Sequence, residues 1–381
     1  MQGIETNLNA EISLNTPIRN HPEHSEFTLY TSPRVLGDVI SDGAVFEDDH
    51  LPDPIVGRNS HMNEVTDALA PIEDGQRAEN CFLFGPSGAG KTTVARAAVR
   101  ELRREVLDVP HAYVNCWRDY TRNAVLERLS RDLVGAAVPR SASTSTLLDR
   151  VHRNFNGSGV VILDEVDQLR ETELLYDLHE FRGLSWIGIA NDEIDLLADI
   201  DERVRSRVSV GYRVRFDRYG EDTIAEILER RARAGLGPGA ASDEVFGTIA
   251  RLADGDARMG ITTLRAAARK ASSEGLSNIP KRLVEDSISE AQQEIVRKTY
   301  SKLNDHQRVV YDVLLEEGPL IQRELHERYS ERHDDPVSLR YFRDAHLAKL
   351  EHYELVETES RSGKKIYSLS EPTEITPVAQ S

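Results

Sequence analysis

Cysteine is nearly absent from this chain: Cys81 and Cys116 are the only two in 381 residues. Such scarcity excludes a disulfide-stapled secreted scaffold, and no Cys/His spacing matches a zinc site. Both cysteines fall in strand-like runs and read as buried thiols of a reducing compartment. Long apolar stretches are also missing. No run approaches the length of a membrane span, and the N-terminal MQGIETNLNAEISLN carries neither a basic start nor an apolar signal core. A membrane role is excluded on this reading, and a cytoplasmic location is expected. Lysine is scarce, with arginine far more abundant, and the formal charge is −18. Taken alone, that charge argues against nucleic acid. Spread over every region, however, it resembles a proteome adapted to molar salt, so local basic groups have to be judged one by one.

The most informative stretch is CFLFGPSGAGKTTV, Cys81 to Val94. An apolar run suited to a buried strand precedes Gly85, Pro86, Ser87, Gly88, Ala89, Gly90, Lys91 and Thr92. These fit G-x-x-x-x-G-K-[ST], and a helix-permissive segment beginning with Thr93 comes next. Glycines let successive backbone N–H groups turn inward around a polyphosphate, and the helix N-terminus adds partial positive charge. Lys91 is expected to reach the β- and γ-phosphates of a nucleoside triphosphate, with Thr92 offering its hydroxyl to Mg²⁺. Upstream, Ile55 and Val56 either pack on the adenine or form a hydrophobic staple for a helix, Ser60 to Ala70, with Ser60 as N-cap.

Downstream, VVILDEVD (Val160–Asp167) reads as a buried strand delivering two carboxylates to its C-terminal end. Asp164 is placed to hold the Mg²⁺ shell and Glu165 to polarise the attacking water. A further strand, Leu184–Asp192, carries Asn191 as a residue to orient that water. Arg203, Arg205 and Arg207 precede the strand-like YRVRF, the place in the order of elements from which a finger stabilising a neighbouring subunit's γ-phosphate would come. The bland alternative is local pairing with acids.

Organisation can be read from composition and periodicity. Residues 1–50 are strongly acidic, with only Arg19 and Arg34 as bases up to that point, and read as a poorly ordered tail. A piece near Phe27–Tyr30 or a turn at Leu51–Pro54 is expected to dock on the adjoining domain. An α/β nucleotide-binding domain is expected over 51–219 and a helical lid over 220–300, where Arg258 opens the third lid helix and can reach the nucleotide. Residues 301–370 read as three helices and a hairpin, a winged helix, and 371–381 as a tail. Arg340, Tyr341, Arg343 and Lys349 on its third helix, and Arg361, Lys364 and Lys365 on its wing, are the candidate DNA contacts. Such a domain also binds protein in other settings, and that alternative stays open.

Taken in this order, the elements resemble the archaeal origin-recognition (Orc/Cdc) initiators, a clade of AAA+ ATPases, over about Leu51 to Leu369. GDAR at Gly255–Arg258, after IDERVRSR and ILERRA, and the terminal winged helix carry most of the likeness. The resemblance implies an α/β P-loop AAA+ parallel-sheet fold with a helical lid, then a winged helix. Gly85–Thr92 would be Walker A, Val160–Glu165 Walker B, Asn191 sensor one, Arg258 sensor two, and Arg207, with Arg203 as the alternative, the arginine finger. It implies a weak Mg²⁺-dependent ATPase that binds ATP or ADP, and double-stranded origin DNA through both domains. Partners would be the replicative helicase and other initiator subunits. A DNA-contacting helical insertion is expected between Tyr120 and Thr146. The competing reading is a clamp-loader-like or remodelling ATPase whose winged helix binds protein.

Overall fold

The computed structural model describes residues 39–135, 142–194, 196, 200, 204–206, 211–361 and 364–370. Five strands form one parallel sheet: β1 (Cys81–Phe84), β2 (His111–Asn115), β3 (Gly159–Asp164), β4 (Leu184–Ala190) and β5 (Tyr212–Arg215). Their order is β2-β3-β4-β1-β5, which puts β1 between β4 and β5. Strands buried on both faces read as continuous apolar runs, as CFLF and VVIL do. Along β1, Phe82 and Phe84 enter one core with Val114, Leu126 and Trp186. Cys81 and Leu83 enter the other with Val65, Val94 and Ile187.

Helices cover both faces: α1 (Asn59–Leu69), α2 (Lys91–Glu105), α3 (Arg122–Val134), α4 (Thr144–Asn154) and α5 (Glu173–Glu180). Ser60 is not the cap of α1. Arg58 holds the N-cap position without a side-chain cap bond, because its guanidinium is drawn elsewhere. Between Tyr120 and Thr146 lie the whole of α3 and the start of α4, while residues 136–141 are outside the described residues.

The lid comprises α6 (Glu221–Gly235), α7 (Asp243–Leu252), α8 (Ala257–Ser273) and α9 (Lys281–Lys302). Part of the segment expected to be a loose tail belongs to its core. Val39, Val45 and Phe46 are buried among lid residues, since apolar side chains outweigh the surrounding acids there. Two of those acids, Glu47 and Asp48, pair with Arg265 and Lys298 of the lid, each at under 3 Å. At the expected turn, the Leu51 and Pro52 carbonyls accept from Arg100 on α2. Phe27–Tyr30 lies outside the described residues.

After the lid come α10 (Asp305–Glu317), a short strand β6 (Leu320–Ile321) and α11 (Gln322–Arg332). A third helix spans 339–352, with a π-helical turn at Phe342–Leu347, and leads into the hairpin β7 (Val356–Arg361) and β8 (Lys364–Leu369). The three strands are antiparallel in the order β6-β8-β7, and the element order is that of a winged helix. Asn304 caps α10 with a complete capping box, Asn304 and Gln307 bonding reciprocally. Val310, Leu314, Leu325, Phe342 and Leu350 fill this core, and Trp117, from outside the segment, joins them. Among the described residues no helix is long and apolar enough to cross a membrane.

Candidate functional site

Ligands of open parallel sheets bind beyond the carboxyl ends of the strands, at a switch in strand order. Here β2, β3, β4 and β5 each end in a polar residue at that edge or run directly into one. β1 leads into the glycine loop 85–90. Gly88 has φ +70° and Gly90 φ +87°, a region costly for side-chain-bearing residues. A Cβ on Gly88 would collide with the Asp256 carboxylate, and one on Gly90 with the Tyr219 hydroxyl. The loop therefore approaches Asp256 and Tyr219 closely where it carries glycine, and Ala257 N–H of the lid donates to the Gly88 carbonyl at 3.3 Å.

Lys91, at the start of α2, is buried. Its ammonium donates to the Gly85 and Pro86 carbonyls, at 2.5 and 2.8 Å, and to Asn191 Oδ1 at 3.1 Å. Burial lowers its pKa to about 8 against the opposing pull of Asp164. The Thr92 hydroxyl donates to Asp164 Oδ2 at 3.0 Å, and the Tyr113 hydroxyl to the same oxygen at 2.7 Å. These oxygens fit Mg²⁺, which takes one or two protein ligands and completes its shell with phosphate and water. Among the described residues no group of three or more His, Cys, Asp or Glu could hold a metal by itself.

Glu165 comes after Asp164 at φ +57°, a left-handed turn that points its carboxylate along the same edge. Burial raises its pKa, with Lys302 opposing. Asn115 Nδ2, from the end of β2, donates to Glu165 Oε2 at 3.4 Å. The Asn191 carbonyl accepts from Gly85 N–H at 3.1 Å, which ties the end of β4 to the glycine loop.

The structure thus brings together Gly85–Thr92, Asp164, Glu165 and Asn191. Arg258 is exposed at the first turn of α8, close enough for its charge to disfavour the Lys91 ammonium. Ile55 packs half-buried against the α1–α2 core, and Val56 is buried. Arg203 and Arg207 lie outside the described residues.

Sequence reasoning missed several participants. Arg58 is buried, donating to the Ala89 carbonyl at 3.0 Å and the Asp217 carbonyl at 2.5 Å, with its guanidinium 3.9 Å from the centre of the Tyr219 ring. A charge inside the apolar-to-helix junction IVGRNS was the signal for it. Tyr113 and Asn115 gave none, since they read as ordinary strand residues.

The candidate DNA contacts divide. Arg340 and Tyr341 are exposed, as are Arg343, Arg361, Lys364 and Lys365. Asp344 stands beside both Arg340 and Arg343, at 3.6 and 2.6 Å. Lys349 is a correction. Its ammonium lies 4.8 Å from the Trp117 ring centre and 5.7 Å from that of Tyr120, turned toward the sheet domain. Burial lowers its pKa to about 8, with Glu165 and Asp167 opposing. In this arrangement Lys349 is not presented to DNA, because the aromatic pair and the two carboxylates hold it.

Residues 74–196 match the family described as AAA domain, and residues 225–293 the family described as Cdc6 AAA+ ATPase-type lid domain. The ORC1-type DNA replication protein 9 of Halobacterium salinarum is 36% identical over 338 residues, covering 88% of this chain and 95% of that protein. The ORC1-type DNA replication protein 1 of the same organism is 38% identical over 309 residues, covering 80% and 100%. The structure of the Aeropyrum pernix ORC1 protein in complex with DNA matches with a TM-score of 0.73 and 27% identity, over 88% of this chain and 95% of that one. A P-loop on a 2-3-4-1-5 parallel sheet, a Cdc6-type lid and near full-length similarity to these relatives place the chain in the ORC1-type DNA replication protein family of AAA+ ATPases.

Proposed function

We propose that this chain is an ATP-switched replication initiator: it binds ATP or ADP with Mg²⁺, hydrolyses ATP slowly, binds origin DNA and helps recruit the replicative helicase. The observation that carries the nucleotide part is the convergence of Lys91, Thr92, Asp164, Glu165 and Asn191 at one sheet edge. Gly85–Gly90 would cradle the phosphates, and Lys91 would exchange its loop carbonyls for phosphate oxygens. Thr92 and Asp164 would hold Mg²⁺, which neutralises charge on the β- and γ-phosphates when bound. Glu165, kept basic but partly desolvated, would take the proton of the attacking water while the Asn191 amide orients it. Arg258 would meet the phosphates from the lid, and Ile55 and Val56 the adenine. Arg207, or Arg203 in its place, would act on the nucleotide of an adjacent initiator subunit. That role requires ATP turnover to rise with protein concentration and Arg207→Ala, or Arg203→Ala if that arginine serves instead, to abolish the rise.

Names of the relatives support the replication role, and exposed Arg340, Arg343, Arg361, Lys364 and Lys365 support duplex contact by the winged helix and wing. Two substitutions test the nucleotide half. Lys91→Ala is expected to lose most affinity for ATP and ADP, whereas Glu165→Gln keeps affinity and loses turnover, since it spares the Mg²⁺ ligand. Unchanged affinity in a folded Lys91→Ala protein removes the reading. Mapping the genomic sites occupied by the tagged protein tests the other half: occupancy confined to sites where replication starts supports it, and absence from all such sites refutes it.

A further inference from the structure

The third helix of the winged helix, 339–352, spans about 20 Å and meets two different surroundings. Its N-terminal turns expose Arg340 and Arg343. Its C-terminal turn and the residue after it reach the catalytic edge of the sheet. His352 Nε2 lies 3.1 Å from Asn191 Nδ2 and 3.1 Å from Asp167 Oδ2. Asn191 is then engaged at both ends of its amide, since its Oδ1 accepts from Lys91. With His352 Nε2 as acceptor, one of the two N–H donors of that amide is turned to the imidazole rather than to a water or a γ-phosphate oxygen.

Glu165 is enclosed from the same side. The Tyr353 hydroxyl is buried and makes no hydrogen bond of good geometry, and the nearby Glu165 carboxylate helps hold its pKa well above the phenol range, after burial itself. Tyr353 is wedged against Trp117, ring centres 3.3 Å apart, while Trp117 Nε1 donates to the Lys302 carbonyl at 2.9 Å. Trp117 itself is buried. Lys349 completes the seat over Trp117 and Tyr120. A buried aromatic and a charged side chain thus fasten the winged helix over the residues that would activate water.

We propose that His352 and Tyr353 are positioning residues of the ATPase site, supplied in cis by the winged helix, which hold Asn191 and Glu165 in an unproductive arrangement until duplex DNA draws that helix away. The proposal rests on the nucleotide reading above. Arg340 and Arg343 stand on the same rigid helix as the latch, so a duplex that reorients the helix to take these arginines also withdraws His352 from Asn191. Hydrolysis is thereby coupled to DNA engagement without a second effector site.

The test uses the full-length protein, Mg²⁺ and ATP, with and without a mixed-sequence duplex. His352→Ala and Tyr353→Phe are expected to raise kcat without duplex, His352→Ala by up to about 100-fold, the lower end of what one aimed donor supplies, with nucleotide Kd unchanged. His352→Gln, which still meets the Asn191 amide, is expected to keep the low rate. Duplex should raise kcat of the parent protein toward that of His352→Ala and leave the variant nearly unchanged. Variants that bind nucleotide like the parent but turn over at an equal or lower rate overturn the proposal. Duplex stimulation that is equally large in His352→Ala overturns the coupling. Failure of the parent protein itself to bind nucleotide would instead sink the ATPase reading.

Discussion

At the residue scale, Lys91 links burial to ligand affinity. The pocket that positions its ammonium also lowers its pKa to about 8. A bound polyphosphate favours the charged form, so its pKa rises on binding and a proton is taken up at pH above 8. Affinity is therefore full below about pH 8 and falls above it, by up to about tenfold per pH unit. Titration calorimetry at pH 8.5 and above, in two buffers of different ionisation enthalpy, reads the proton uptake directly. Equal heats in both buffers would show that the lysine is already fully charged in the free protein. The thiols are the inert counterpart. Burial pushes Cys81 up to about 12 and raises Cys116 as well, so neither offers thiolate at neutral pH.

At the element scale, the third helix of the winged helix carries an internal cost. His346 is buried at the π-helical turn, and neither ring nitrogen has a partner. It sits beside His306, ring centres 4.8 Å apart, and His306 stacks on His333 at 3.9 Å. Burial, then His306, Lys349 and His333, lowers its pKa to about 4. The unfolded chain binds more protons than the folded one between about pH 4 and 6.5. The stability that neutral His346 permits is thus whole above that window and lost as pH falls through it, by up to about 1.4 kcal/mol per unit. His346→Leu is expected to flatten this loss and to raise stability by about 1–3 kcal/mol by removing unpartnered polar atoms. Denaturant unfolding at pH 5 and pH 8 decides: an equal drop in both proteins means that the acid sensitivity comes from elsewhere.

At the scale of the whole molecule, a strongly acidic surface leaves few bases to exchange for counterions. Each phosphate contact contributes a slope of about −0.9 in log affinity against log salt, so a wing with Arg361, Lys364 and Lys365 supplies about three such units at most. Duplex affinity should consequently fall only gently as salt rises. Asp344 reduces the gain further by holding Arg340 and Arg343. Asp344→Asn is expected to strengthen duplex binding at every salt concentration and to steepen the slope by about one. A fluorescence anisotropy titration checks both, and weaker binding in the variant would mean that Asp344 presents the arginines rather than competing for them.

Most of the nucleotide edge was legible in the chain, because its information is local. A glycine loop between an apolar run and a helix can be read from one window, as can Asp164 and Glu165 at the end of VVIL. Parallel-sheet topology then obliges those strand ends to meet. The lid helices and the three helices of the C-terminal segment came from apolar periodicity in the same way. What tertiary structure alone decided is where long side chains spend their charge. Arg58 turns inward onto the Ala89 and Asp217 carbonyls, Val39, Val45 and Phe46 are claimed by the lid, and Lys349 faces Trp117 instead of solvent. No window contains both partners of these contacts. Lysine at 349 has the same local pattern whether its ammonium meets a duplex or the Trp117 ring, and the choice is made only when residues far apart in sequence are packed together.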